Sequence, residues 1–308
     1  MNVAVIGAGG VGGFFGGKLA YAGNNVTFIA RGKHMEAIQH NGLSVKSILG
    51  DFYIKEVNVT SEILSIKEPD LVLVAVKAWQ VTEVAHQLKK VINNNTLVIP
   101  LQNGVKAAGE LISELGKENV LGGLCFILSK IESPGVINHF GADPSITFGE
   151  LTNEKTARAL KLHEKLVEAG INAFLSDDIH AALWRKLTGI CISALLAVTH
   201  CTYGQLREVP ETRQMAYDLM KEIYLVSKKE GIDLPEDLVD KLMQAIDTFP
   251  FDAVSSLTRD VWEGRPSEIF YQNGTVAELA EKHNIQVPVN RFVFNCILPR
   301  ELQIRKKM

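Results

Sequence analysis

Three short stretches place ligand-holding or reactive residue types at spacings that suggest a site. The first is Gly7-Ala8-Gly9-Gly10-Val11-Gly12, directly after an apolar run at 3–6. Backbone of this kind turns sharply, approaches a pyrophosphate closely and opens a helix whose N-terminus favours an anion. Such a turn is usually followed, about 20 residues on, by an Asp or Glu that holds a ribose 2′-hydroxyl. Here Arg31 stands nineteen residues past Gly12. A guanidinium suits a 2′-phosphate, and no carboxylate is present to repel one. The pattern favours NADP(H) over NAD(H). The plainer readings are a ligand-free strand–helix turn and a solvated arginine.

The second stretch pairs two strand ends. The apolar run 71–76 ends at Lys77, and the run 96–101 ends at Gln102-Asn103-Gly104. At the carboxyl ends of parallel strands, both Lys77 and Asn103 would face a ligand crevice. Lys77 would attract an anion, and Asn103 would donate to and accept from a ribose or substrate oxygen. A snorkelling surface lysine and a turn chosen for its backbone geometry are the alternatives. In the third stretch, 178–199, Leu183, Leu187, Ile190, Ala194 and Leu195 form an apolar face at helical spacing. Lys186 shares a stripe with Ile190, Ser193 and Ala197. Desolvation lowers a lysine's pKa, which suits a general acid near neutral pH. On pattern alone, a lysine snorkelling from the edge of a buried helix comes first.

Short runs dense in Val, Ile and Leu at 3–6, 26–30, 71–76 and 96–101 read as buried parallel strands. A glycine-rich helix is expected at 13–23, a hairpin at 42–54, and helices at 80–90 and 154–169. Further strands are expected at 121–129, 135–140 and 145–150. The alternation predicts an α/β fold, a doubly wound sheet with right-handed crossovers. After Ser176 the strand signal fades, and 177–199, 211–230, 235–248 and 266–284 read as helices. The expected domains are 1–176, a dinucleotide-binding Rossmann domain, and 177–308, all-helical.

The composition narrows the function classes. With 308 residues, 46% of them apolar, the chain can bury two ordinary cores. A formal net charge of −3 leaves no electrostatic footprint for nucleic acid. Cys125, Cys191, Cys201 and Cys296 form no C-x-x-C pair, which argues against a disulfide framework and a structural zinc site. The N-terminus reads as a first strand and not a signal peptide. The most apolar later run, 189–198, is too short to span a bilayer. The expectation is a soluble cytoplasmic protein with no metal, no membrane and no nucleic-acid partner. A homodimer is left open.

The turn at 7–12, Arg31, "VKAWQV" (76–81), "QNG" (102–104), "LWRKL" (183–187), "SS" (255–256) and "EIFYQNG" (268–274) follow one another in a familiar order. In this order they resemble the ketopantoate reductase (2-dehydropantoate 2-reductase) family, from the first residues to about Pro288. The resemblance implies a Rossmann domain, a helical domain and an active site between them. It implies NADPH-dependent reduction of 2-dehydropantoate to D-pantoate, on the way to pantothenate and coenzyme A. Carried over by motif, Lys186 would protonate the ketone oxygen, Asn103 would touch substrate and cofactor, and Ser256 would bind substrate. Glu268 would lie beside the nicotinamide, with Gly7, Ala8, Gly9, Gly10, Val11, Gly12, Arg31 and Lys77 holding the rest of the cofactor. Without the resemblance, Ser256 reads as a helix cap and Glu268 as a carboxylate favoured by a helix N-terminus. A non-catalytic NADP(H) sensor is the rival from another class, and it would need neither Lys186 nor Glu268.

The sequence also departs from the family pattern. Members that make pantoate typically carry asparagine where this chain has Ile190, Ala194 and Tyr203, and aspartate at Phe270. Apolar side chains cannot hydrogen-bond the polar oxygens of that substrate, which points to a more apolar 2-oxo acid.

Overall fold

The computed structural model describes residues 1–307. The chain divides into two compact units: Met1–Gln102 with Lys106–Ile179, and Asn103–Val105 with the residues from His180 onward.

The first unit begins β1 (Asn2–Ile6), α1 (Gly10–Tyr21), β2 (Asn25–Ile29), α2 (Gly32–Asn41), β3 (Leu43–Ser47), β4 (Phe52–Ile54) and β5 (Asn58–Thr60). It continues through β6 (Leu71–Val74), α3 (Val81–Leu88), β7 (Leu97–Pro100) and α4 (Ala107–Leu115). It closes with β8 (Gly122–Ser133), β9 (Val136–Gly149), α5 (Ala157–Glu168) and β10 (Asn172–Leu175). Five strands lie side by side in the order β5-β2-β1-β6-β7, all parallel. This is the Rossmann arrangement, with its switch point at the carboxyl ends of β1 and β6.

Strand β1 is apolar throughout because both of its faces are covered. Val3 and Val5 join the core around Phe14, Phe15 and Leu19 of α1. Ala4 and Ile6 join a separate core with Val81 and Leu88 of α3 and Leu111 of α4.

The doubly wound parallel sheet expected from the sequence comprises these five strands. The later strands join the β3–β4 hairpin in a second, mixed sheet, β10-β9-β3-β4, with β8 antiparallel to β9. Helix α1 is held between the two sheets, which explains its glycines. A Cβ on Gly16 would stand 2.7 Å from Phe28 of the first sheet, and one on Gly13 would stand 2.7 Å from Ile137 of the second.

The strands expected at 135–140 and 145–150 are one strand, β9, interrupted by Ala142 at φ +58°. The buried His139 ring closes this irregularity by meeting the carbonyls of Gly141 and Ala142 at 3.1 and 2.8 Å. Elements α2, β5, α4 and β10 had no counterpart in the sequence-based expectations.

The second unit is helical: α6 (Ile179–Ile190), α7 (Ile192–Thr199), α8 (Tyr203–Glu208) and α9 (Pro210–Lys229), then α10 (Leu238–Thr248), α11 (Ser256–Trp262), α12 (Asn273–Lys282) and α13 (Pro288–Arg305). Together α6 and α7 make a stretch of 21 residues, Ile179–Thr199, longer than the apolar run read from the sequence and long enough to cross a membrane by length and composition alone. Most of it is buried, however. Leu187, Leu195 and Leu196 pack with Leu219, Ile223, Val276 and Val293, so the stretch is the core helix of this unit.

A buried polar chain fixes the helices around it. Asn273 donates to the Cys191 carbonyl at 3.1 Å and to Asn290 at 3.0 Å, and Asn290 donates to Glu222 at 2.8 Å. The Glu222 carboxylate also accepts the N–H groups of Val289 and Asn290, two orphan donors at the start of α13.

Candidate active site

In the first unit the glycine turn is pinned from below. The N–H groups of Gly7 and Ala8 donate to the Ile29 carbonyl at 3.1 and 3.0 Å, tying the end of β1 to the end of β2. Gly7 has φ +100°, a conformation that favours glycine. A Cβ on Gly12 would stand 2.0 Å from the Gly7 carbonyl oxygen, whereas nothing lies within 4 Å of one on Gly9. The turn is therefore closed toward the sheet and open at Gly9.

The first helical hydrogen bond runs from Gly13 N–H to Gly9 O at 2.7 Å. The N–H groups of Gly9, Gly10, Val11 and Gly12 have no partner among the described residues. Four unpaired donors at a helix N-terminus form an anion cradle.

Arg31 is the N-cap of α2, just past the end of β2. It is exposed and pairs with no carboxylate among the described residues. Lys77 follows the end of β6, exposed, with its ammonium 5.9 Å from the centre of the Trp79 ring. Gln102, which the sequence reading passed over, donates to the carbonyls of Val74 and Val76, both at 2.9 Å. Its amide thus straps the end of β6 to the segment after β7. The motif "QNG" contained this residue, but only the strand order shows what it ties together.

In the second unit, Asn103 Nδ2 donates to Glu268 Oε2 at 3.1 Å. Glu268 is 7% exposed. A carboxylate that far from water, bonded to a side chain 165 positions away, is not there for a local helix terminus. The neighbouring residue anchors it. Ser267 donates through its N–H and its hydroxyl to the buried Glu301 carboxylate, which also accepts from Arg305. Gly104 has φ +103°, and a Cβ there would stand 2.5 Å from the Tyr271 carbonyl oxygen. The turn reading of Asn103-Gly104 therefore describes the glycine, while the asparagine makes the long-range bond.

The cap of α11 is Ser255, whose hydroxyl accepts from Thr258 N–H at 3.1 Å. Ser256 is exposed and its hydroxyl has no hydrogen bond among the described residues. Lys186 lies half-buried on α6. Its helix continues into α7, whose Ser193 carbonyl accepts from Thr258 of α11 at 2.9 Å. The structure thus gathers Gly7, Ala8, Gly9, Gly10, Val11, Gly12, Arg31 and Lys77 in one unit. Lys186, Asn103, Ser256 and Glu268 belong to the other.

Two family models match the chain, "Ketopantoate reductase PanE/ApbA" over residues 3–153 and its "C terminal" counterpart over residues 178–301. The chain belongs to the ketopantoate reductase family. This is a family of nicotinamide-dependent oxidoreductases. The chain is 31% identical to "Uncharacterized oxidoreductase YkpB" of Bacillus subtilis (strain 168) over 298 residues, covering 96% of this chain and 97% of the relative. A crystal structure of a PanE/ApbA family ketopantoate reductase from Ralstonia eutropha JMP134 superposes with a TM-score of 0.91. It is 31% identical and covers 99% of this chain and 100% of its own. The ternary structure of D-mandelate dehydrogenase with NADH and anilino(oxo)acetate gives a TM-score of 0.90 at 25% identity, covering 99% of this chain and 100% of its own.

The positions that depart from the ketopantoate reductase pattern are packed into the helical unit. Ala194 is fully buried and Ile190 half-buried. Tyr203 is buried, its ring edge-on to Phe249 at 4.9 Å and its phenol hydrogen-bonded to Ser193. Burial pushes that phenol up to about 12, against the opposing effect of the Ser193 bond. Phe270 packs edge-on against Phe294 at 5.7 Å, with the Arg305 guanidinium 5.3 Å above its ring.

Proposed function

We propose that this chain reduces the ketone of a 2-oxo acid with NADPH, in the cytoplasm, with Lys186 as the proton donor. The Asn103–Glu268 bond carries this reading. It joins two of the residues matched by motif, in the unit that also holds Lys186.

The anion cradle at Gly9–Gly12 fits a dinucleotide pyrophosphate, and the unpaired Arg31 fits a 2′-phosphate. When bound, NADPH supplies the hydride. Lys186 gives a proton to the ketone oxygen as negative charge gathers there. Glu268 engages one Asn103 N–H, which fixes the amide and leaves its second N–H and its Oδ1 for substrate and cofactor. Ser256 offers a free hydroxyl to the substrate. The exposed Lys77 adds positive charge on the cofactor side.

Two substrates fit this chemistry. One is ketopantoate, reduced to D-pantoate for pantothenate and coenzyme A. The other is a 2-oxo acid with a more apolar body. The second is favoured at Ile190, Ala194 and Tyr203, where no amide is offered and the one phenol is closed on Ser193. D-Mandelate dehydrogenase, a relative of similar shape solved with NADH and anilino(oxo)acetate, supports it.

NADPH oxidation measured against ketopantoate, 2-oxoisovalerate, 2-oxoisocaproate and phenylpyruvate tests the proposal. We expect kcat/KM for at least one acid lacking the hydroxyl to equal or exceed that for ketopantoate. A strong preference for ketopantoate returns the chain to the pantoate reaction, and no turnover of any of the four discards the function.

Arg31→Ala should weaken NADPH binding by roughly 1.5–3 kcal/mol, the range for a hydrogen bond to a charged group. NADH binding should barely change. Fluorescence titration with both dinucleotides checks this, and equal losses would remove the 2′-phosphate from the account.

A further inference from the structure

One residue outside every motif touches the glycine turn. His34 lies in the first turn of α2, three positions past Arg31, and is half-buried. Its Nε2 meets the Ala8 carbonyl oxygen at 2.8 Å. Its Nδ1 accepts the Gly135 N–H, in the turn between β8 and β9, at 3.1 Å. Because Nδ1 is an acceptor, the ring is neutral and carries its proton on Nε2, which donates to Ala8. One imidazole therefore joins the glycine turn, the helix headed by Arg31 and the β8–β9 hairpin.

This contact fixes more than a carbonyl. The Ala8–Gly9 peptide is trans, so its C=O and N–H point in opposite directions. Holding the Ala8 oxygen sets the direction of the Gly9 N–H, the first of the four unpaired donors. It does so where the turn is open, with nothing within 4 Å of a Cβ placed on Gly9.

We infer that His34 is a positioning residue for dinucleotide binding: its neutral imidazole aligns the Gly9 N–H of the pyrophosphate cradle and couples that cradle to the helix bearing Arg31. The inference rests on the nicotinamide-cofactor reading. It separates His34 from Arg31, because the pyrophosphate is common to NADH and NADPH and the 2′-phosphate is not. Protonating Nδ1 would break the Gly135 bond. Burial holds the imidazole below its ordinary value of 6.5, with the Ala8 bond opposing. The neutral form is thus intact above pH 6.5, and its contribution is lost as pH falls through the lowered value. The titratable groups on the surrounding elements are Arg31 at the cap of α2, Lys33, Glu36 and His40 within it and, on the β8–β9 hairpin, Cys125, Lys130, His139, Asp143 and Glu132, the last paired with Lys46. The turn at 7–10 contributes none.

The test is titration of NADH and NADPH into wild type, His34→Ala and His34→Gln, with thermal unfolding followed in parallel. We expect His34→Ala to weaken both dinucleotides by the same factor, roughly 5- to 20-fold, for the hydrogen bonds lost. His34→Gln, which keeps one donor and one acceptor, should recover part of that loss and serves as the reporter if the alanine variant does not fold. NADH, free of the 2′-phosphate, is then titrated from pH 5 to 8. Wild-type affinity should fall at the acid end while that of His34→Gln stays level. A slope shared by the two proteins overturns the inference, as does unchanged NADH affinity in both variants at pH 7.5, and either result leaves the cofactor reading standing. If wild type binds neither dinucleotide, the cofactor reading falls and the role of His34 falls with it.

Discussion

Lys186→Ala is expected to lower kcat by roughly 10²- to 10⁴-fold, the contribution of a positioned proton donor. Dinucleotide affinity should stay close to wild type, because the glycine turn, Arg31 and Lys77 all belong to the other unit. A lysine that only snorkels predicts the reverse: turnover nearly intact and a stability change within about 0.5 kcal/mol. Proton donation and simple charge are separated by Lys186→Arg. A guanidinium keeps the charge but does not give up its proton near neutral pH, so a donating role requires most activity to be lost in that variant. Wild-type kcat should also fall at high pH, along a limb that Lys186→Ala lacks. Most of the activity surviving in Lys186→Arg would assign the lysine an electrostatic role alone.

Gly12→Ala carries the second large effect. The added Cβ would stand 2.0 Å from the Gly7 carbonyl oxygen, 2.9 Å from Val5 and 3.0 Å from Ala75. The first of these is backbone, in a turn itself bonded to Ile29, so neither partner can give way cheaply. Overpacking typically costs about 1–3 kcal/mol, and this site belongs at the upper end or beyond. We expect a large drop in the urea midpoint together with loss of dinucleotide binding. Gly9→Ala is the control, since nothing lies within 4 Å of its Cβ position. It should keep stability to within about 1 kcal/mol and still lose binding, because the methyl would enter the space the pyrophosphate needs. Intact binding in Gly9→Ala would show that the open side of the turn is not where the ligand enters.

The parts of the protein that repeat a strong local signal were legible in the sequence. Residues 3–6 and 71–74 are apolar at every position because two cores cover them, and parallel sheets leave that mark. The glycines of α1 were visible as a tight helix, but the second sheet on its other side was not, since it depends on pairings such as Val45 with Ile137 across ninety residues of chain. His139 shows why β9 looked broken. Its ring meets the carbonyls of Gly141 and Ala142 at the irregularity, and no periodicity reports that. Arg31 and Asn103 could be singled out because they follow strand ends. Gln102, His34 and Glu301 could not, because each acts through a backbone group or a carboxylate distant in sequence. The cap reading of Ser256 failed for want of a boundary: the helix begins one residue earlier than a cap at Ser256 would require, and Ser255 takes that role.

The segment Asn103–Val105 leaves the first unit after Gln102 and is followed by Lys106 back within it. The helical unit is therefore not one continuous length of polypeptide. A gene fragment starting at His180 would encode all of its helices past the first residue of α6 but not the amide that meets Glu268 at 3.1 Å. Such a fragment would leave a buried carboxylate short of a donor, the kind of defect that costs more than the lost bond itself. Three residues flanked on both sides by the first unit thus belong to the packing of the second. Recombination that swaps either unit at the chain boundary near 179 would need to carry residues 103–105 from the same parent as the helices.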